Sequence, residues 1–362
     1  MKGRLVSLDA FRGITIAGMI LVNNPGTWSH VYPPLLHAPW HGWTPTDLIF
    51  PFFLYIVGVS MTFSFSKLAG KPTKEIYWKV FRRTLVIFGL GLMLSGFPSY
   101  DFSTIRIPGV LQRIAVVYCI ASLITLNTGL KGRAWATAII LLAYWAMMKL
   151  IPVPGFGAGD LSVEGNLAGF VDSHLLSGHM WAVSRTWDPE GLLSTLPAIA
   201  TTMSGVLTGH LLRSGKSKEE ISSWMFMIGW LAIVVGLFWS IVFPLNKSLW
   251  TSSYVVFTSG AALQFLGFCY FLIDAKGIQK WALPAIIYGM NALAVFVLSG
   301  LVARLLNLIH IGDLSLKVWI YENLFASWAS PMNASLAFAV TNILFWLGMM
   351  AILYYKRIFI KI

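Results

Sequence analysis

The sequence predicts an all-α, polytopic integral membrane protein with about ten transmembrane helices and both termini in the cytoplasm. Three observations carry this reading. Hydrophobic residues make up 57% of the 362 residues and charged residues only 11%, where a soluble domain has about 25% charged; the mean hydropathy is +0.73. Apolar runs of roughly the twenty residues needed to cross a bilayer recur along the chain. Lys and Arg collect on alternate connections between those runs. So little charge cannot coat a water-soluble body of this length, which excludes a cytosolic globular protein, a disordered chain and a secreted disulfide scaffold. The net charge of +12 does not indicate nucleic acid, because the basic residues lie between apolar runs and not on one polar domain. Cys119 and Cys269 sit inside apolar runs and read as small core residues. The basic start Lys2–Arg4 leads into an apolar run with no small-residue cleavage site after it, so no cleavable signal peptide is expected.

In chain order, the first spans are expected at roughly 8–24, 44–66, 81–98, 109–127 and 132–151. The next five fall at roughly 192–213, 221–243, 253–273, 283–306 and 336–356. Asn24 caps the end of the first helix before Pro25–Gly26. Thr44-Pro45-Thr46 precedes the second, with Asp47 as its N-terminal residue. Pro108–Gly109 precedes the fourth. Val318–Ala329 is too short to span and is read as an interfacial or re-entrant stretch. With the N-terminus inside, the inner segments hold Lys2, Arg4, Lys67, Lys71, Lys74, Lys79, Arg82, Arg83, Lys131 and Arg133. They also hold Arg213, Lys216, Lys218, Lys276, Lys280, Lys356, Arg357 and Lys361. The outer loops hold only Arg106, Arg185, Lys247 and Lys317, and this asymmetry sets both the orientation and an even number of spans. The whole of 1–362 reads as one transmembrane domain, with 152–190 as a long extracytoplasmic loop. No internal repeat of the kind that marks inverted transporter halves is visible.

Ionisable residues within spans are costly and therefore functional candidates. Asp9 and Arg12 lie three apart on one face of the first helix, either as an interfacial ion pair or as part of a polar site near the cytoplasmic face. The loop 24–43 has no charged side chain, yet holds His30, His37 and His41 with Trp28, Trp40 and Trp43. His37 and His41 are four apart, but Pro39 between them argues against a helical zinc pair, and no metal site is expected. Arg113, beside Gln112, calls for an anion, which is either an internal carboxylate or a ligand phosphate. His210 and Arg213 suit the C-terminal end of a helix. No GxSxG, GxGxxG or phosphate-loop pattern stands in a strand–turn–helix setting. Composition and spacing alone therefore name no reaction.

From Ser7-Leu8-Asp9-Ala10-Phe11-Arg12-Gly13 onward, a series of blocks resembles the family of heparan-α-glucosaminide N-acetyltransferase and its bacterial relatives. The blocks include Val22–Asn23, His37-Ala38-Pro39-Trp40 with Gly42, and Asp47-Leu48-Ile49-Phe50-Pro51. They continue with Arg106-Ile107-Pro108-Gly109-Val110-Leu111-Gln112-Arg113, Pro152-Val153-Pro154-Gly155 and Asp188-Pro189-Glu190-Gly191. The last are Pro244-Leu245-Asn246-Lys247-Ser248-Leu249-Trp250 and Gly289-Met290-Asn291. The resemblance implies transfer of an acetyl group from cytosolic acetyl-CoA to an amino sugar across the membrane, by a homodimer. It places the family's active histidine on His37 and its partner asparagine on Asn23. The chain begins directly at the family's first helix, and a bacterial inner-membrane location is expected.

On this footing His37 serves as general base or as carrier of a transient acetyl group. Asn23 donates to the developing oxyanion, a role that can be worth about 2.7–4 kcal/mol. Asp47 orients His37 or binds the acceptor. Asp9, Arg12, Gln112 and Arg113 are expected on the acetyl-CoA path, and the basic stretch 67–83 is assigned to topology and lipid headgroups. Trp40, Asp188, Glu190, Asn246, Lys247 and Asn291 are the candidates for the sugar. Two other readings stand beside this one: a permease for N-acetylglucosamine, and a non-catalytic relative that binds CoA or lipid.

Overall fold

The computed structural model describes residues 5–68, 73–184 and 186–360. Lys2, Arg4, Lys71, Arg185 and Lys361, all used above to set the orientation, lie outside the described residues. Helices dominate. In chain order they are α1 (Val6–Asn23), α2 (Ile49–Ser66), α3 (Thr73–Gly96), α4 (Val110–Asn127) and α5 (Leu130–Leu150). The short α6 (Leu167–Leu175) lies in the long loop and is followed by α7 (Leu192–Leu212), α8 (Lys218–Trp239) and α9 (Ser252–Cys269). The last are α10 (Leu283–Met290), α11 (Ala292–Leu308), α12 (Leu316–Tyr321) and α13 (Pro331–Tyr355). Two antiparallel pairs of two-residue strands complete the list: β1 (Pro152–Val153) with β2 (Gly157–Ala158), and β3 (His310–Ile311) with β4 (Leu314–Ser315).

Every expected span is occupied by helix. Among the described residues, seven helices are long and apolar enough to cross a membrane, or eight if the bent pair α10–α11 is one span. The run at 283–306 is not one rod: the helix breaks at Asn291 and the two halves meet at 69°. The long helices α3 and α5 keep Lys74, Glu75, Lys79, Arg82 and Arg83, and Lys131, Arg133 and Lys149, inside the helical segment. That lowers their apolarity without shortening them. The stretch at 318–329 forms only α12 and a π-helical continuation, Glu322–Ala326. The chain is an integral, multi-pass membrane protein.

The chain divides into two compact units. The first comprises Met1–Ala38, Trp43–Phe53 and Phe268–Lys361; the second comprises Pro39–Gly42 and Leu54–Gly267. In lipid no hydrophobic force drives helix against helix, so close van der Waals packing has to do it, and small residues permit that. In the first unit α1 crosses α10 at Gly13 and Gly289. A Cβ at Gly13 would meet the Ala285 carbonyl and the Gly289 amide, and one at Gly289 would meet the Asp9 carbonyl. The second unit uses the same device between α2 and α7. Gly58 faces the Thr202 carbonyl, Gly205 faces the Tyr55 carbonyl, and Gly209 abuts Thr62. Polar side chains stitch that crossing: Thr202 Oγ1 donates to the Leu54 carbonyl at 3.1 Å, and the buried Tyr55 and Thr208 hydroxyls are 2.5 Å apart.

Gly13→Val is therefore expected to destabilise the first unit by about 1–3 kcal/mol, the usual range for overpacking a tight contact. The check is the thermal unfolding midpoint of the detergent-solubilised protein; Gly348→Val, where an added Cβ meets nothing within 4 Å, is the control.

Candidate active site

The first unit holds the histidine. Pro45 opens a 3-10 turn, Pro45–Leu48, that leads into α2, and Thr44 and Asp47 form a reciprocal capping box at its start. Asp47 is 1% exposed. Its Oδ1 lies 2.6 Å from His37 Nδ1. Its Oδ2 accepts the Ala38 amide at 3.0 Å and the Thr44 amide at 2.9 Å. The Thr44 hydroxyl reaches the Leu36 carbonyl at 2.6 Å. One buried carboxylate thus ties the 36–38 segment to the entrance of α2. The contact with Nδ1 assigns the proton to that nitrogen and makes Nε2 the lone-pair nitrogen of the neutral ring. The His37 side chain is 48% exposed.

Asn23 is the last residue of α1 and is exposed; among the described residues it is not part of the Asp47 network. Asn24, the C-cap, is buried and donates to the Ile20 carbonyl at 2.9 Å. Arg12 donates to Asp9 at 3.0 Å and to the Gly289 carbonyl at 3.3 Å, so the SLDAFRG and GMN blocks meet at the α1–α10 crossing. Asn291 is buried at the helix break. Its amide donates to the Ile358 carbonyl at 3.1 Å and its carbonyl accepts from the Ile360 amide at 2.9 Å, which fastens the C-terminal segment.

In the second unit the Arg106–Arg113 and Asp188–Gly191 blocks meet at the first turns of α4 and α7. Arg106 makes a forked contact with Asp188, at 2.8 and 2.6 Å, and a further one with Glu190 at 2.6 Å. Both acids are buried. Burial works against the Arg106 cation, but the two carboxylates more than offset it and its pKa rises. Arg113, 2% exposed, donates to the Gly191 carbonyl at 3.1 Å and to Ser194 Oγ at 2.5 Å, with its guanidinium 5.1 Å from the Trp250 ring centroid. Gln112 packs on Gly91 and Gly109 and donates to Ser95 at 3.2 Å. Trp40 donates its indole N–H to the Leu161 carbonyl at 2.8 Å and meets Trp187 edge-on at 5.1 Å. Its neighbour His41 lies 3.3 Å from the Asn246 amide nitrogen, and burial lowers the His41 pKa. Asn246 is fully buried and accepts the Leu249 amide at 2.8 Å, so it organises the turn that carries the partly buried Lys247.

Three groups were not singled out as a set by sequence. At the other ends of the helices of this unit, Arg133 contacts His210 and donates to the Thr125 carbonyl at 2.5 Å, and Arg213 donates to the Thr62 carbonyl at 3.1 Å. Among the described residues neither arginine has a carboxylate partner. Their signal in the sequence is a set of basic residues at helix ends, which also serves orientation and so hides any second role.

Asp172 on α6 is the other group missed. It is 1% exposed and accepts the Leu192 amide at 2.9 Å and the Asp188 amide at 3.3 Å, bracing the start of α7. Burial pushes its carboxyl up to about 6, against about 3.9 for an unfolded aspartate. Between about pH 4 and pH 6 the folded chain therefore holds a proton that the unfolded chain has lost, and stability falls as pH rises through that window, by about 1.4 kcal/mol per pKa unit. Asp172→Asn is expected to remove this part of the pH dependence. Unfolding midpoints of the two proteins at pH 4.5 and 7 check it, and a slope unchanged in the variant refutes it.

The sequence profile described as heparan-alpha-glucosaminide N-acetyltransferase, catalytic, matches residues 4–241. The heparan-alpha-glucosaminide N-acetyltransferases of Mus musculus and Homo sapiens are each 28% identical over 81% of this chain, which spans 53% and 52% of them. The chain thus covers about half the length of these curated relatives. The match to the profile takes in part of each unit and includes His37, Asp47, Arg113 and the Asp188–Gly191 block, and the chain belongs to the heparan-alpha-glucosaminide N-acetyltransferase catalytic family.

Proposed function

We propose that this chain is a transmembrane N-acetyltransferase that moves an acetyl group from acetyl-CoA to the amine of a glucosamine-type sugar, with His37 as the base. The observation that carries this reading is the Asp47–His37 contact at 2.6 Å on a half-exposed imidazole. A carboxylate on Nδ1 fixes the ring's tautomer and orientation and stabilises the imidazolium once Nε2 takes a proton. In the proposed reaction the acceptor binds as the free amine. Its nitrogen attacks the thioester carbonyl carbon and Nε2 takes the proton that this nitrogen sheds; the C–S bond breaks, and the departing thiolate takes that proton from the imidazolium. Asn23, exposed at the end of α1, supplies an amide N–H to the carbonyl oxygen as charge develops. In the covalent alternative Nε2 attacks the thioester carbonyl carbon and expels the thiolate, and the amine then takes the acetyl group from acetyl-His37 and releases its proton to the freed ring. Label retained on the protein after acetyl-CoA alone separates the two.

With the loops 24–43 and 152–190 outside and both termini inside, the donor's phosphates approach from the opposite side. Arg12 already carries Asp9 as counter-ion, and Arg113 lies at the end of α4 next to the long loop. Arg133, His210 and Arg213 lie at the other end of their unit and are the better cations for the donor. Trp40 with Trp187 offers an aromatic surface for a sugar face, whereas Asp188 and Glu190 are occupied by Arg106.

The test is radiolabelled acetyl-CoA on the purified protein with glucosamine and glucosamine-terminated oligosaccharides. Loss of a positioned acid–base group typically costs about 10²–10⁴-fold, so His37→Ala is expected to lower transfer by that factor with helical content unchanged. Asp47→Asn is expected to lower kcat more than it raises KM and to shift the pH profile. Sugar uptake that needs no acetyl-CoA and survives His37→Ala would instead establish the permease.

A further inference from the structure

A groove of about 300 Å³ runs along the second unit between α4 and α7. That is far more than the ~10–15 Å³ a single water needs. Val116 and Ile120 of α4 and Leu196 and Ile199 of α7 form its apolar walls, and Arg113 and Glu190 are at its polar end. The α4 residues follow the three-to-four spacing of one helical face. From Arg113 to Ile120 the groove follows the helix for about 10 Å at 1.5 Å per residue. Ile120 and Leu192 on its margin are 36% and 47% exposed, so it opens on the flank of the helices.

The polar end is incomplete. Arg113 uses only Nη2 for hydrogen bonds; its Nε and Nη1 are buried and, among the described residues, have no hydrogen-bond partner. Glu190, the carboxylate at that end, is engaged through Oε2 by Arg106. A buried guanidinium with two unsatisfied nitrogens, which carry three N–H groups, favours an anionic acceptor. Inorganic phosphate would satisfy Arg113 and leave the apolar length of the groove empty. A neutral hydrocarbon would do the reverse.

We propose that the groove binds a membrane phospholipid, with an anionic headgroup at Arg113 and one acyl chain laid between α4 and α7. The groove's amphiphilic shape and its flank opening both fit an occupant that enters sideways from the bilayer. This site is separate from the acetyl-transfer reading, and its readout involves no acetyl transfer.

Native mass spectrometry of the full chain, delipidated and titrated with phosphatidylglycerol or phosphatidylcholine, tests it. One phosphatidylglycerol is expected to bind at least about ten-fold more tightly than phosphatidylcholine, the discrimination of one charge-assisted contact. Val116→Trp fills the groove, and Ile120→Trp blocks its half-exposed margin where folding tolerates bulk; either is expected to weaken phosphatidylglycerol binding about ten-fold or more. Arg113→Gln is expected to abolish the preference between the two lipids. Equal affinity of the unmodified chain for both lipids overturns the proposal. So does unchanged phosphatidylglycerol binding by a monodisperse Trp variant, or full displacement of the lipid by an equal concentration of inorganic phosphate.

Discussion

The buried Asp47 carboxylate is the constraint on which the candidate active site depends. A carboxylate at 1% exposure is tolerable only if its oxygens are saturated. Here the donors come from three places in the sequence: the His37 ring, the Ala38 amide and the Thr44 amide. Satisfying the charge therefore fixes the 36–38 segment against the start of α2. It also sets the imidazole tautomer and leaves about half of the ring exposed. The Pro45 turn places the carboxylate there, since it ends the loop at a position where the first turn of a helix favours negative charge.

The second unit solves a similar problem with more charges. Asp188, Glu190 and Asp172 are all buried near the start of α7, and like charges in one low-dielectric site repel. Arg106 neutralises two of them by direct contact. Asp172 accepts two backbone amides, which oppose the shift, but burial outweighs them and pushes its carboxyl up to about 6. Gly191 is required beside it, because any Cβ there would strike the Asp172 carboxylate. The RIPGVLQR and DPEG blocks are thus two halves of one charge-balanced joint between α4 and α7.

Much of this was legible in the sequence, and what was not has physical reasons. Apolar length and the positions of Pro, Gly and Asn located the helices. Asn24 as the cap of α1 and Asp47 at the entrance of α2 could be read from local chemistry. The break at Asn291 could not, since the residues on both sides are uniformly apolar and a bend leaves no mark on composition. Nor could the use of Asn291 to hold Ile358 and Ile360 be seen, because it joins residues almost seventy positions apart. Asp188 and Glu190 look like exposed loop acids in sequence; only the fold shows that Arg106, some eighty residues earlier, engages both.

The cations of the chain fall into two classes, and the difference bears on where ligands are expected. Arg12 and Arg106 have carboxylates at 2.6–3.0 Å. Arg133 and Arg213 have carbonyls as hydrogen-bond acceptors, whereas Arg113, bonded to a carbonyl and a hydroxyl, lies in the field of Glu190, Asp188 and Asp172. A carbonyl oxygen satisfies an N–H but cancels no charge, and in a low-dielectric surrounding the remaining field acts on whatever anion can approach. The presence or absence of a carboxylate partner thus separates Arg12 and Arg106 from Arg133 and Arg213.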